Sequence, residues 1–121
     1  NRKETLSLAC TFLSSGGGSY PFTTGRIDHG HECRPDLCAY KNSHRPSSYI
    51  GRFCVDSLVH DSCALKFLVE TMHEDCIMLG SDCPFPLGES KPGELILKTF
   101  AQDTEKCQKL LNMNARRFFK I

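Results

Sequence analysis

The chain has 121 residues, one domain's worth at most, with 15 Lys and Arg against 14 Asp and Glu for a formal net charge of +1. That balance excludes a nucleic-acid binder held by a basic face, and it excludes an acidic tail protein. Apolar residues make up 40%, enough for a core and too many for a disordered chain. No run approaches about 18 consecutive apolar residues, so no membrane span is expected. Nor does any segment read as a secretory signal. The first residue is Asn1 rather than Met, so a processed chain or a fragment is expected.

Residues 9–14 form a short apolar run stopped by Ser14, Ser15 and three glycines, which predicts a buried strand entering a loop. After Pro21, residues 22–31 are compatible with a helix. Residues 34–49 have loop composition, with room for one helical turn. Residues 52–57 give a second short strand. Asp61 is placed to N-cap a helix over 64–70, with Leu65, Leu68 and Val69 on one face. Residues 76–79 give a third strand, ending at Gly80. Pro92 and Gly93 open a helix over 94–101. Asp103 caps another, with Cys107, Leu110 and Leu111 on one face. Residues 113–119 give a last short helix. The order is strand–helix repeated three times, and the strands are continuous apolar runs. That pattern predicts buried parallel strands in an α/β protein. Each strand ends in a polar or glycine-rich loop, where such folds keep their chemistry.

The 8 cysteines are an even number, which permits disulfides. Their positions favour reduced, intracellular thiols. Cys54 and Cys76 sit inside apolar runs, where a free thiol acts as a small hydrophobe. Cys33 and Cys38 have no second pair of zinc-finger spacing.

Asp82 directly follows the third strand. A carboxylate there projects into the mouth of a parallel sheet, where it can bind a metal or move a proton, or else simply cap its loop. Asp56, near the end of the second strand, has a similar but weaker claim. Ser15 to Ser19 resembles an anion-cradling loop, against which stands a plain tight turn. His29 and His31 have the His-x-His spacing of zinc hydrolases. Alternate residues on a helix do not face one ligand, so surface or hydrogen-bonded histidines are the plainer reading. His60 with Asp61 and His73 with Glu74 read as capping or surface features. Arg26 lies near the glycine loop, where its fork would suit a carboxylate or a surface ion pair.

Several segments carry a family resemblance. They are Gly80 to Glu89 with Lys91 to Glu94, Gly16 to Ile27 with Asp28 to Gly30, Arg34 to Cys38, Val55 to Asp61, and Asn114 with Ala115. Together they resemble the C-terminal part of the 2-amino-3-carboxymuconate-6-semialdehyde decarboxylase family, within the amidohydrolase superfamily. The likeness runs from about residue 9 to 119. It implies an α/β fold, a partial (β/α)8 TIM-type barrel of about the last three strand–helix units. Residues 1–121 would be the C-terminal part of a single barrel domain, with no second domain. The implied reaction is a zinc-dependent decarboxylation in tryptophan and kynurenine catabolism, limiting quinolinate and NAD synthesis. A cytosolic homodimer is implied, with a small-molecule substrate and neither nucleic acid nor membrane as partner. By resemblance, Asp82 matches a zinc-binding aspartate. Arg26 matches an arginine that crosses a dimer interface to a substrate carboxylate, and Phe85 matches an aromatic lining the substrate site.

Three departures qualify these implications. Ser15 stands where the family has a proton-transferring His, and serine is no base near neutral pH without a partner. The family's His-x-His and further zinc-binding His have no counterpart here, so the zinc site is incomplete. Family members are also much longer. The chain alone is therefore expected to be inactive. A second reading is a truncated, non-catalytic paralogue that binds a full-length subunit or another partner. Decarboxylases of resorcylate-type or orotate-type acids form a related alternative, which the Pro84 to Glu89 segment disfavours.

Overall fold

The structure is a computed structural model, and it describes residues 11–121. Three short strands are built from the apolar runs: β1 (Phe12–Leu13), β2 (Cys54–Asp56) and β3 (Ile77–Met78). They form one parallel sheet in the order β1-β2-β3. Phe12 pairs with Cys54 and Leu13 with Val55, while Val55 pairs with Ile77 and Asp56 with Met78. Of the expected first strand, Ala9 and Cys10 lie outside the described residues.

Helices follow each strand. The first, α1 (Tyr20–Cys33), runs longer than expected at both ends. Pro21 fits its first turn, where the missing N–H costs nothing. The Thr24 hydroxyl donates to the Tyr20 carbonyl at 2.7 Å. The presumed loop over 34–49 contains α2 (Pro35–Cys38) and a 3₁₀ turn over Pro46–Tyr49. The buried Asp28 carboxylate fastens that turn to α1, accepting from Arg45 Nε and from the Ser47 N–H, both at 2.9 Å.

Asp61 N-caps α3 (Ser62–Met72), its carboxylate accepting the Ala64 N–H at 2.8 Å. Leu65, Leu68, Val69 and Met72 form its buried face. After β3 come α4 (Glu94–Thr99) and α5 (Thr104–Gln108), the latter capped by Asp103 through the Lys106 N–H at 2.9 Å. A π-helical turn over Lys109–Met113 then leads into α6 (Asn114–Phe119). The fourth helix stops at Thr99 rather than at residue 101, and the last two predicted helices are continuous through the π turn. That turn faces Leu110 into the core. It also brings the buried Asn114 amide to the carbonyls of Glu74 and Ile77, at 2.6 and 2.7 Å.

The core joins β2 and β3 to α3, α4 and α5. Phe53, Val55, Leu65, Leu68, Val69, Met72, Ile77, Ile96, Cys107 and Leu110 make one cluster. Burial of this apolar surface is the main force holding the layers together. Edge strand β1 differs, because Phe12 and Leu13 remain 44% and 40% exposed. No disulfide joins the cysteines among the described residues.

Candidate functional site

All three strands run the same way, so the loops that follow them share one edge of the sheet. Asp56 joins these loops. It ends β2 and is only 5% exposed. Its carboxylate accepts the Ser15 N–H at 3.0 Å, the Gly16 N–H at 2.8 Å and the Leu58 N–H at 3.1 Å. The loop after β1 presents these donors because Ser15, Gly16 and Gly17 take φ of 50°, 63° and 79°. Successive left-handed residues turn their N–H groups toward one side and make a nest for an anion.

The anion in this nest is internal. The loop that resembles a ligand cradle is filled by Asp56, whose carboxylate is committed to backbone donors. That answers the two open sequence readings together. Asp56 positions the loops rather than facing solvent, and the glycines serve a tight turn around it. Gly16 is required twice over, since its φ is 63° and a Cβ there would stand 2.7 Å from Val59 Cγ1.

The loop after β3 joins the same junction. A Cβ on Gly80 would stand 2.7 Å from Asp56 Cβ, and the Gly80 N–H donates to buried Ser57 Oγ at 3.3 Å. Sequence reasoning missed Gly80 and Ser57 as positioning residues. The signal was their placement, each next to the end of an apolar strand.

Asp82 lies two residues beyond Gly80, exposed, with φ of 55°. It sits at the first corner of a loop that closes on itself. Phe85 N–H donates to Asp82 O at 2.8 Å, Gly88 N–H to Phe85 O at 2.9 Å, and Glu89 N–H to Ser81 O at 2.8 Å. Phe85 rides on this loop at 65% exposure. Asp82 and Phe85 thus belong to one rigid turn at the carboxyl edge of the sheet. Ser15 is exposed at the end of β1, its N–H held by Asp56. Arg26 lies on the exposed side of α1, in no ion pair among the described residues.

The histidines do not converge. His29 is exposed and touches Cys33 Sγ, with Nε2 at 3.4 Å. His31 points elsewhere, with a buried Nε2 that lacks a hydrogen-bond partner. His60 precedes the cap of α3 and His73 ends that helix at φ 68°. Glu74 accepts from Lys109 Nζ at 2.8 Å, and this bond leads the influences that push the Lys109 ammonium up to about 12.

The donor set does not make a metal centre by itself. Among the described residues no three His, Cys, Asp or Glu side chains come together as ligands. Asp82 offers one carboxylate, whereas zinc is held by about three or four protein ligands.

The family model for amidohydrolases matches residues 16–121. The chain belongs to the amidohydrolase family. More particularly, it is 57% identical over 111 residues to the 2-amino-3-carboxymuconate-6-semialdehyde decarboxylase of Dictyostelium discoideum, covering 90% of this chain and 30% of that protein. The protein of the same name from Caenorhabditis elegans is 42% identical over 109 residues, covering 90% of this chain and 27% of its own length. The chain thus spans less than a third of the curated relatives it matches. The fold is similar to that of Metarhizium anisopliae IDCase in its apo crystal structure. The TM-score is 0.73 at 19% identity, over 90% of this chain and 33% of that one. No helix among the described residues is long and apolar enough to cross a membrane.

Proposed function

We propose that the chain supplies the C-terminal part of a decarboxylase acting on 2-amino-3-carboxymuconate 6-semialdehyde. In this reading it forms about the last three strand–helix units of a (β/α)8 barrel, in one domain. The observation that carries it is the junction at Asp56. That carboxylate fixes the loop holding Ser15 and packs against Gly80, which leads into the turn of Asp82 and Phe85. Residues of the matched family thereby come to one edge of a parallel sheet.

The roles fit the chemistry of each side chain. The Arg26 guanidinium has the planar fork that binds a carboxylate bidentately, and it would reach a substrate carboxylate across a homodimer interface. Phe85 would form an apolar wall of the substrate site. Asp82 would be one ligand of a zinc ion whose other ligands come from residues outside this chain. No step is assigned to the metal here, because the residues present do not fit it alone. The pathway would be tryptophan catabolism in the cytosol, where loss of the carboxylate diverts material from quinolinate and NAD.

A second reading is a non-catalytic paralogue that binds a full-length subunit. Ser15 favours it, because its hydroxyl replaces an imidazole and accepts no proton near neutral pH without a partner. A zinc titration of the 121-residue chain, followed by a turnover assay on the semialdehyde, tests the first reading. The expected result is no stoichiometric zinc and no turnover. Co-purification with a full-length subunit, without any gain in activity, would favour the second.

A further inference from the structure

The two histidines of α1 do not converge, but a histidine and a cysteine one helical turn apart do. His29 and Cys33 are four residues apart on this 14-residue helix, so their side chains rise from one face. His29 Nε2 lies 3.4 Å from Cys33 Sγ, and Nδ1 of the same ring lies 3.8 Å from it. Both residues are exposed. The backbone that carries them is fixed. Arg34 N–H donates to Gly30 O at 2.9 Å, so the helical pattern continues past Cys33. The buried carboxylate of Asp28, next to His29, ties the helix to Arg45 and Ser47.

We propose that His29 and Cys33 form a two-donor chelate for an exchangeable divalent cation of the zinc class. The span between the donors points to this ligand. Zinc bonds an imidazole nitrogen at about 2.0–2.1 Å and a thiolate sulfur at about 2.3 Å. At a tetrahedral angle those two bonds set nitrogen and sulfur about 3.5 Å apart. The separation of 3.4 Å is already that of a chelate. The exposed imidazole has only to turn about its own bond to aim the Nε2 lone pair at the ion, a fast motion for a surface side chain. A thiolate beside an imidazole selects a borderline cation over calcium or magnesium, which take oxygen ligands.

Binding forms one nitrogen–metal bond and one sulfur–metal bond. The Cys33 thiol gives its proton to solvent, the ring binds through a lone pair, and no electron moves. Water fills the remaining positions. Two protein donors are fewer than the three or four of a resident zinc centre, and Arg26, three residues before His29, adds a like charge. The ion is therefore held loosely and exchanges, short of stoichiometric uptake. The other cations nearby are already paired, Arg34 with Asp36, and Arg45 with Asp28 and Glu32. The chelate exists only while both residues share a helical face, so the ion stabilises α1, the helix that bears Arg26.

The test titrates the native 121-residue chain, kept reduced by a phosphine, with excess cobalt(II). A saturable sulfur-to-cobalt charge-transfer band is expected, which only a thiolate ligand gives, and zinc should displace it. Cys33→Ser should abolish the band. His29→Gln should weaken cobalt binding by more than about tenfold, since even the outer-shell partners of a metal site are worth about 10–100-fold. Cys38→Ser, Cys63→Ser and Cys83→Ser, which remove the other exposed thiols, should each leave the band unchanged. In the wild-type chain cobalt should also slow alkylation of Cys33 and of no other exposed cysteine, a measurement that needs no variant to fold. No saturable band, a band that survives Cys33→Ser, unchanged affinity in His29→Gln, or protection of another cysteine instead would overturn the proposal. Turnover is not read, so the outcome is independent of the decarboxylase reading.

Discussion

Asp56 and Gly80 are packed so closely that a single methyl group on Gly80 would stand 2.7 Å from Asp56 Cβ and 2.8 Å from its Cγ. Neither contact partner is the free end of a flexible side chain. Gly80→Ala should therefore push the carboxylate out of its nest and lower stability by about 1–3 kcal/mol. Thermal unfolding should show a lower Tm, and proteolysis should cut first in the loops after β1 and β3. An unchanged Tm would show that the junction is slack.

Asp56→Asn keeps the shape of the side chain and removes its charge. Three backbone N–H groups then meet a neutral amide, and one of its two acceptor positions becomes a donor. Leaving one buried N–H unpaired costs about 1–3 kcal/mol. Urea titration should give a loss in that range. The double variant with Gly80→Ala should lose less than the sum of the two, because both act on one contact.

Asn114 does comparable work from the far end of the chain. Its Nδ2 donates to Glu74 O and Ile77 O while the residue is 1% exposed. Asn114→Asp would set a carboxylate against two carbonyl oxygens. Destabilisation of more than about 2 kcal/mol is expected at neutral pH, easing as the new carboxyl is protonated. Equilibrium unfolding at two pH values reads both effects.

Stability should respond to pH at two ends. Hydrogen bonding from Ser47, aided by the Arg45 guanidinium, holds the Asp28 carboxyl below the usual carboxylate range. A depressed folded value means that its contribution is present above the unfolded value of 3.8. It is lost as pH falls through the folded one. Lys109 behaves in the reverse sense. With its value raised from 10.5 to about 12, its contribution is full below 10.5 and is lost as pH rises through about 12. Asp28→Asn should flatten the acid limb of a stability–pH curve, and Lys109→Met the alkaline limb. The reverse assignment of limbs would contradict the ion-pair geometry.

Much of the fold was legible because its signals are local. Asp61 and Asp103 cap the helices that follow them, and three apolar runs form three strands. The breakdown of that legibility is physical as well. Residues 34–49 look like loop because their order depends on a distant carboxylate, Asp28. The π turn is invisible in periodicity, since it answers to Asn114 finding two carbonyls some 40 residues away. At the site, Asp82 stands out in the sequence by its place directly after a strand, whereas Phe85 is singled out only by the family resemblance. The commitment of Asp56 to the glycine loop was not legible, because sequence cannot tell a nest awaiting a ligand from one filled by the protein.

In the proposed function, Ser15 takes the position of a proton-transferring histidine beside a decarboxylase's C-terminal site residues. The most direct test grafts residues 11–121 onto the upstream part of the Dictyostelium discoideum relative and compares kcat with Ser15 and with Ser15→His. Loss of a general base costs about 10²–10⁴-fold. The grafted enzyme with Ser15 should be slower by that factor, and Ser15→His should restore turnover. Equal turnover by both, or none by either in a folded zinc-loaded graft, would rule out that role for position 15.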